Sequence, residues 1–274
     1  QFLYFIGCLI LLRSEMSCIF HTAVDKVKAN AVPLGVAAGL VAAGIIGNNI
    51  LKARKAAAFR AKVAALDKSV VHIFSFPRMT SAPNLAPPAV KLEAFCRVNK
   101  VPYVMHFLPD CPSYSPTETA PFIALNGELV GETQFCIDHI KSFFNLPQSE
   151  GLTPEAEAIS TLIRRTCDLS LAAHNSRTTM VDNPHITLPP MADKWSAATG
   201  FPRFVVNFFL TKMRQGYIAR LNASGLGWLS DANYQVEYLR DVRALSAIVH
   251  EAQQAGRKYL FGDRPTTADC VLYG

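Results

Sequence analysis

Asn126-Gly127 constrains this chain more than any other short feature. The pair lies within Phe122 to Val130, a run otherwise rich in apolar residues. A two-residue loop between antiparallel strands needs positive φ at both central positions, and Asn-Gly adopts it at little cost. A tight hairpin over Phe122 to Val130 is therefore expected. The flanking patterns extend it. Val70 to Phe76 alternates apolar residues and reads as a strand. Ser81 to Pro88 is a proline-rich loop. Ala89 to Asn99 carries Val90, Leu92, Phe95 and Val98 at near-helical spacing. Tyr103 to Leu108 is a second strand, and Pro109 to Ala120 is an irregular loop with three prolines. Thr133 to Phe144 reads as a helix, with Phe135, Ile137, Ile140 and Phe144 offered to its buried side.

The order strand, helix, strand, loop, hairpin, helix over residues 70–146 resembles the thioredoxin-like N-terminal half of glutathione transferases. That resemblance implies a cis peptide at Pro121, which opens the first hairpin strand, where proline is tolerated. It also implies that the backbone at Ala120 pairs with the cysteinyl part of glutathione. Glu132 and Thr133 fall where the second helix begins. Amides and a hydroxyl at a helix start suit a carboxylate, and the resemblance assigns the γ-glutamyl group to them. Plain helix capping explains Thr133 equally well.

Residues 153–274 read as all-helical. Thr153-Pro154-Glu155 is a helix start by its cap, proline and acid. That helix is expected to run to about Asn175, with Ile159, Leu162, Ile163 and Leu169 on its apolar stripe. A proline-rich loop is expected over Asp182 to Pro190, then helices over Phe201 to Leu221 and Asp231 to Gln254. Val236, Leu239, Val242, Leu245 and Val249 of the last read as core. Arg164, Arg165, Arg203, Lys212 and Arg214 read as solvated faces, with the border of an acidic-ligand groove as the alternative. Thr266-Thr267-Ala268-Asp269 has the form of a capping box, a folding device with no bearing on catalysis. Its helix stops at Gly274, so this domain reads as truncated at its C-terminus.

Mean hydropathy is +0.18 with only 18% charged residues, which points to an apolar segment outside any core. Ala31 to Leu51 has no charge and the length of one bilayer crossing. Lys52, Arg54, Lys55, Arg60 and Lys62 follow it within a basic linker, residues 52–69. The positive-inside rule then makes the rest of the chain cytosolic. Gly35 and Gly39 form a small-residue pair that would suit a homodimer or contact with other membrane proteins. Residues 1–30 are assigned to no domain; Phe2 to Leu12 is too short to span, and Met16 is an alternative start. The net charge of +6 is largely local to the linker, where the basic run is alanine-rich and follows an apolar segment, which suits a membrane flank better than nucleic acid. Seven cysteines without a C-x-x-C spacing argue against a disulfide framework, a structural metal site or a dithiol centre. Cys111 reads as a free surface-loop cysteine, ordinarily without a function, with reactivity as the alternative.

Four collinear segments carry a closer resemblance. They are Phe74 to Tyr103, Phe201 to Ser230 (FPRFVVNFFLTKMRQGYIARLNASGLGWLS), Asp241 to Val249 and Tyr259 to Gly274 (YLFGDRPTTADCVLYG). They resemble the failed-axon-connections and cadmium-responsive proteins, a metaxin-like branch of the glutathione transferase superfamily. The resemblance implies a thioredoxin-like domain followed by a helical one, often behind an N-terminal anchor. It implies no cofactor, with glutathione as the ligand to consider. Active members of the superfamily place serine, cysteine or tyrosine near the start of the first helix to stabilise the thiolate. The branch's usual Ser-Pro-Phe stands here as Ala86-Pro87-Pro88. Ala86 has no hydroxyl or thiol, so no catalytic residue is assigned; Thr80 or Ser81 could compensate. Two functions stay open. One is a non-catalytic adaptor on the mitochondrial outer membrane or endoplasmic reticulum. The other is a transferase conjugating glutathione to electrophiles.

Overall fold

The computed structural model describes residues 49–51, 53–78, 83, 84, 86–108 and 110–274. The chain divides into two compact units, Gln1–Lys62 and Val63–Gly274. In the first unit the described residues are helical and largely exposed. The expected crossing at Ala31 to Leu51 lies, apart from Asn49, Ile50 and Leu51, outside the described residues. No helix among the described residues is long and apolar enough to cross a membrane.

The second unit opens on a four-stranded sheet in the order β2-β1-β3-β4. Its strands are β1 (Val71–Ser75), β2 (Tyr103–Phe107), β3 (Phe122–Leu125) and β4 (Glu128–Gly131). β1 and β2 are parallel, and the other pairs are antiparallel. The parallel pair is joined through α1 (Pro87–Val98), as a parallel connection requires. Asn126 and Gly127 turn at φ 51° and 82°, the doubly positive geometry expected of the hairpin.

α1 and α2 (Thr133–Phe143) cover one face of the sheet. Alternation along the strands sends Val71, Ile73, Ile123 and Leu125 into one core with Leu92, Phe95, Ile137 and Ile140. The buried side of α2 is Thr133, Cys136, Ile137, Ile140 and Lys141. Phe135 is instead 64% exposed, because it is one position out of phase with that stripe. On the opposite face Phe74 stacks on Phe122 and His106, and His72 Nδ1 lies 2.9 Å from His106 Nε2.

The helical half starts with α3 (Pro154–Arg165), capped by the Thr153 hydroxyl accepting from the Ala156 amide. It does not end near Asn175. It passes through π-helical turns at Thr166–Leu171 and Arg177–Asp182, which flank α4 (Ala172–Ser176). The second π-helical turn is pinned by Arg177. This buried guanidinium donates to the carbonyls of Leu226 and Leu229 and to Asp231, and lies 4.0 Å over the Tyr234 ring.

α5 (Pro184–Thr199) replaces most of the expected proline-rich loop. Pro184 sits at the first helical position, where its missing N–H costs nothing. Pro189 and Pro190 are inside the helix but exposed, so carbonyls left without a donor can meet water. Met191 and Ala192 hold α5 against Val206 and Leu210 of α6 (Arg203–Ala223).

α7 (Asp231–Gln254) buries Tyr234, Leu245 and Ala252. Val236 and Leu239 are exposed at 47% and 42%, against their core assignment, and Leu162 and Leu169 of the expected apolar stripe are exposed above 60%. Apolar spacing alone does not set the phase of a helix. Arg214 is not simply solvated: its Nε donates to the Met180 carbonyl at 2.6 Å. α8 (Thr267–Tyr273) begins as expected, with the Asp269 carboxylate accepting from the Thr266 amide at 2.7 Å.

Candidate functional site

Strand register brings the sequence-predicted site residues to one end of the sheet. Phe122 pairs with Gly131, so Pro121 and Glu132 are neighbours across the hairpin. Phe74 pairs with Phe122, so the exit of β1 runs beside Ala120 and Pro121. Ala86, the N-cap of α1, is the next of these residues along the chain after that exit. The Ala120–Pro121 peptide is cis, as expected.

Glu132, and not Thr133, caps α2. Its carboxylate accepts from the Gln134 amide at 3.0 Å, and its backbone sits at φ 63°. A non-glycine residue held there costs on the order of 1–3 kcal/mol, and such outliers concentrate at ligand clamps. Thr133 is buried at the first helical position. Among the described residues, no protein group is hydrogen-bonded to its hydroxyl.

Gly131 is required one residue earlier. A Cβ there would overlap Thr117 Oγ1 and lie 2.9 Å from its Cγ2. This close approach holds the Ser115–Thr119 loop against the start of α2. Ser115, Thr117 and Thr119 form a chain of hydroxyls at 3.1 and 2.8 Å beside it. The turn just ahead of this loop carries Cys111, which is not open to reaction. It is fully buried in a short turn, Cys111–Tyr114, and burial and then the Asp110 charge push its thiol up to about 12. Burial likewise pushes Cys96, Cys136 and Cys270 up to about 12. None of these is a thiolate nucleophile at neutral pH.

The start of α1 holds the residue that sequence reasoning missed. Ala86 has no side-chain cap, and Asn84 acts in its place. The buried Asn84 side chain accepts from the Ala86 amide at 2.9 Å and from Ser75 Oγ at 3.1 Å, and donates to the Phe76 carbonyl at 3.0 Å. The signal was an asparagine two residues ahead of a helix start, where its amide mimics a backbone turn. Its chemical consequence is direct. The Ala86 amide at this helix start is already donated to the Asn84 side-chain oxygen, and Ala86 supplies no hydroxyl.

The other wall comes from the helical half. Trp195 of α5 stacks near Phe76 at 6.1 Å, and Lys194 donates to the Arg78 carbonyl at 3.0 Å. Arg78 grips Glu93 of α1 with bonds of 2.8 and 3.0 Å. Burial raises the Glu93 carboxyl, but hydrogen bonds from Arg78 and Tyr103 and the charges of Arg78 and Arg97 outweigh it, leaving the group below its usual range. No cluster of ligating side chains suited to a metal occurs among the described residues.

A family model described as Glutathione S-transferase N-terminal domain matches residues 87–184. Failed axon connections of Drosophila melanogaster is 26% identical over 221 residues, 76% of this chain and 49% of that protein. The chain therefore spans about half the length of that relative. Among solved structures, a glutathione transferase of Phanerochaete chrysosporium is similar with a TM-score of 0.49 and 15% identity, over 75% of this chain and 82% of that one. A Tau class glutathione S-transferase of mango, Mangifera indica, gives 0.43 and 12%, over 75% and 74%. The family model and the relative, with the sheet order and the helical second half, support assigning the chain to the glutathione S-transferase superfamily, with similarity to Failed axon connections.

Proposed function

We propose that this is a membrane-tethered, cytosol-facing adaptor of glutathione-transferase fold with weak or no transferase activity. The observation that carries the reading is the start of α1, where Ala86 offers no hydroxyl and Asn84 occupies the amide. Thiolate formation needs a donor at that point, and each pKa unit of lost thiol activation corresponds to about 1.4 kcal/mol between protonation states. The tether reading rests on the uncharged Ala31 to Leu51 run and the basic residues behind it. Mitochondrial outer membrane and endoplasmic reticulum are the two candidate surfaces.

Conjugation of glutathione to an aromatic electrophile tests the activity reading. The full chain is expected to turn over at or near background. Turnover at the rate of an ordinary transferase would overturn the adaptor reading. Carbonate extraction tests the tether, with release of the intact chain as the adverse result. A second reading is a glutathione-conjugating transferase. Buried Thr133 beside the strained Glu132 backbone favours it, since both lie opposite Pro121 where a γ-glutamyl group would sit. Under that reading Thr133→Ala abolishes glutathione binding measured by calorimetry, and Ala86→Ser gains conjugation.

A further inference from the structure

Four phenylalanines stand out at the start of α6. Phe201, Phe204, Phe208 and Phe209 are exposed at 53%, 75%, 60% and 52%. Isolated exposed apolar residues are ordinary, but a contiguous group of large rings marks an interaction surface. Phe204 and Phe208 are one helical turn apart and lie opposite the buried Val206 and Leu210. The burial of that opposite side against α5 fixes the direction in which the rings project.

α6 contains Arg203, Lys212, Arg214 and Arg220 and no acidic residue; Arg214 turns to the Met180 carbonyl and Arg203 to Asp193, so the cation beside the rings is Lys212. Lys212 Nζ lies 5.9 Å from the centroid of the Phe208 ring, so ring and cation share one patch. The nearby Asp193 carboxylate is held by Arg203 at 2.5 Å. We propose that this face of α6 docks on an anionic lipid bilayer, the phenyl rings entering the acyl boundary and the basic side chains meeting the headgroups. A helix with aromatic residues on one side and cations at its flank lies in the plane of such an interface. A second copy of this chain fits poorly, because a two-fold contact through the face would set Lys212 against its own copy. This inference is independent of the adaptor reading and of the N-terminal tether.

Phe208→Trp in a Trp228→Phe background provides a local probe, because the chain's other tryptophan, Trp195, packs beside the α5–α6 core. The full chain is mixed with phosphatidylcholine vesicles, with or without phosphatidylserine, bearing brominated acyl chains. The expected result is a roughly twofold or greater fall in the introduced tryptophan's emission with phosphatidylserine present, reversed by salt. Lys212→Glu should weaken that contact about tenfold. An N-terminal anchor alone does not place position 208 among acyl chains, so the reading is specific to this face. No bromine quenching at any phosphatidylserine fraction overturns the proposal, as does equal quenching without it. A concentration-dependent dimer abolished by Phe204→Ser with Phe208→Ser would make the occupant a second copy and also overturn it. Both positions are exposed, so these variants leave the core intact.

Discussion

Asn84 organises the candidate site more than the residues at the expected positions do. Its side chain makes three hydrogen bonds, to Ala86, Ser75 and Phe76, while only 6% exposed. Replacing it with alanine strands the Ala86 amide, the Ser75 hydroxyl and the Phe76 carbonyl at once. A buried unsatisfied group costs about 1–3 kcal/mol, so Asn84→Ala should lower the unfolding free energy by at least that amount. Urea denaturation followed by circular dichroism measures it, and a loss below about 0.5 kcal/mol would mean water replaces the side chain without penalty. The same variant frees the Ala86 amide. Ala86→Ser alone leaves that amide donated to Asn84, so any gain in glutathione conjugation should be larger in the double variant. Equal activity in single and double variants would show that the amide does not matter to the thiol.

Among the elements, the helix from Pro154 to Asp182 has the least ordinary interior. Its π-helical turns bracket His174, which is 2% exposed between the rings of Tyr234 and Tyr238, at 4.6 and 5.3 Å. Neither imidazole nitrogen has a hydrogen-bond partner among the described residues. Burial is the main cause that pulls its pKa down, with Arg177 adding to it and Asp241 opposing. His106 is pulled down likewise, by burial and then by His72. A histidine with a lowered folded pKa binds fewer protons folded than unfolded. Stability is then intact above the unfolded value of about 6.5 and falls as pH drops through it toward the folded value. Denaturant titrations at about pH 7.5 and 5.5 should show that fall, and His174→Phe should make it shallower. At neutral pH the variant should stay within about 1 kcal/mol of the parent, since it keeps the ring and deletes two unpaired polar atoms. An unchanged pH slope would assign the effect to other groups. The strands, the hairpin and the capped helix starts were legible in the sequence, because Asn126-Gly127, Thr153-Pro154 and Thr266 to Asp269 act through local backbone chemistry. Helix phase was not: Phe135, Leu162 and Val236 are apolar yet exposed, and only tertiary packing decides that. α5 was hidden by Pro189 and Pro190, whose local penalty is overridden by burial of Met191 and Ala192. The site was legible as far as Pro121, Glu132 and Thr133; spacing hints only at the Asn84 bond to Ala86, while its bonds to Ser75 and Phe76 depend on the fold.

The two halves of the unit from Val63 to Gly274 share a seam, and α8 is its centre. Cys270 packs into the core under the sheet, whereas Ala268 packs with Ile163, Leu245 and Leu260 in the helical half. Glu150, in the linker between halves, accepts from the Thr267 amide at 3.0 Å and pairs with Lys141 at 3.3 Å. Beside it lies a buried ion pair: Lys91 of α1, 2% exposed, donates to Asp168 in the first π-helical turn at 3.1 Å. Apolar contact alone would tolerate small sliding of one half on the other, whereas a desolvated charge accepts one partner position. The two ends of the pair should respond differently to substitution. Asp168→Asn leaves an ammonium in the interior without its carboxylate, a defect of about 3–5 kcal/mol when fully buried. Partial exposure of Asp168, at 22% of its side chain, should reduce that to about 2–4 kcal/mol. Lys91→Met removes the buried charge and keeps most of the side-chain volume, leaving a carboxylate that water can reach. Its cost should be smaller by about 1–2 kcal/mol, and the double variant should recover part of the loss from Asp168→Asn. Chemical denaturation of all three variants closes the cycle. If Asp168→Asn and Lys91→Met cost the same and simply add, the pair does not couple the halves, and the shared packing of α8 alone holds them in register.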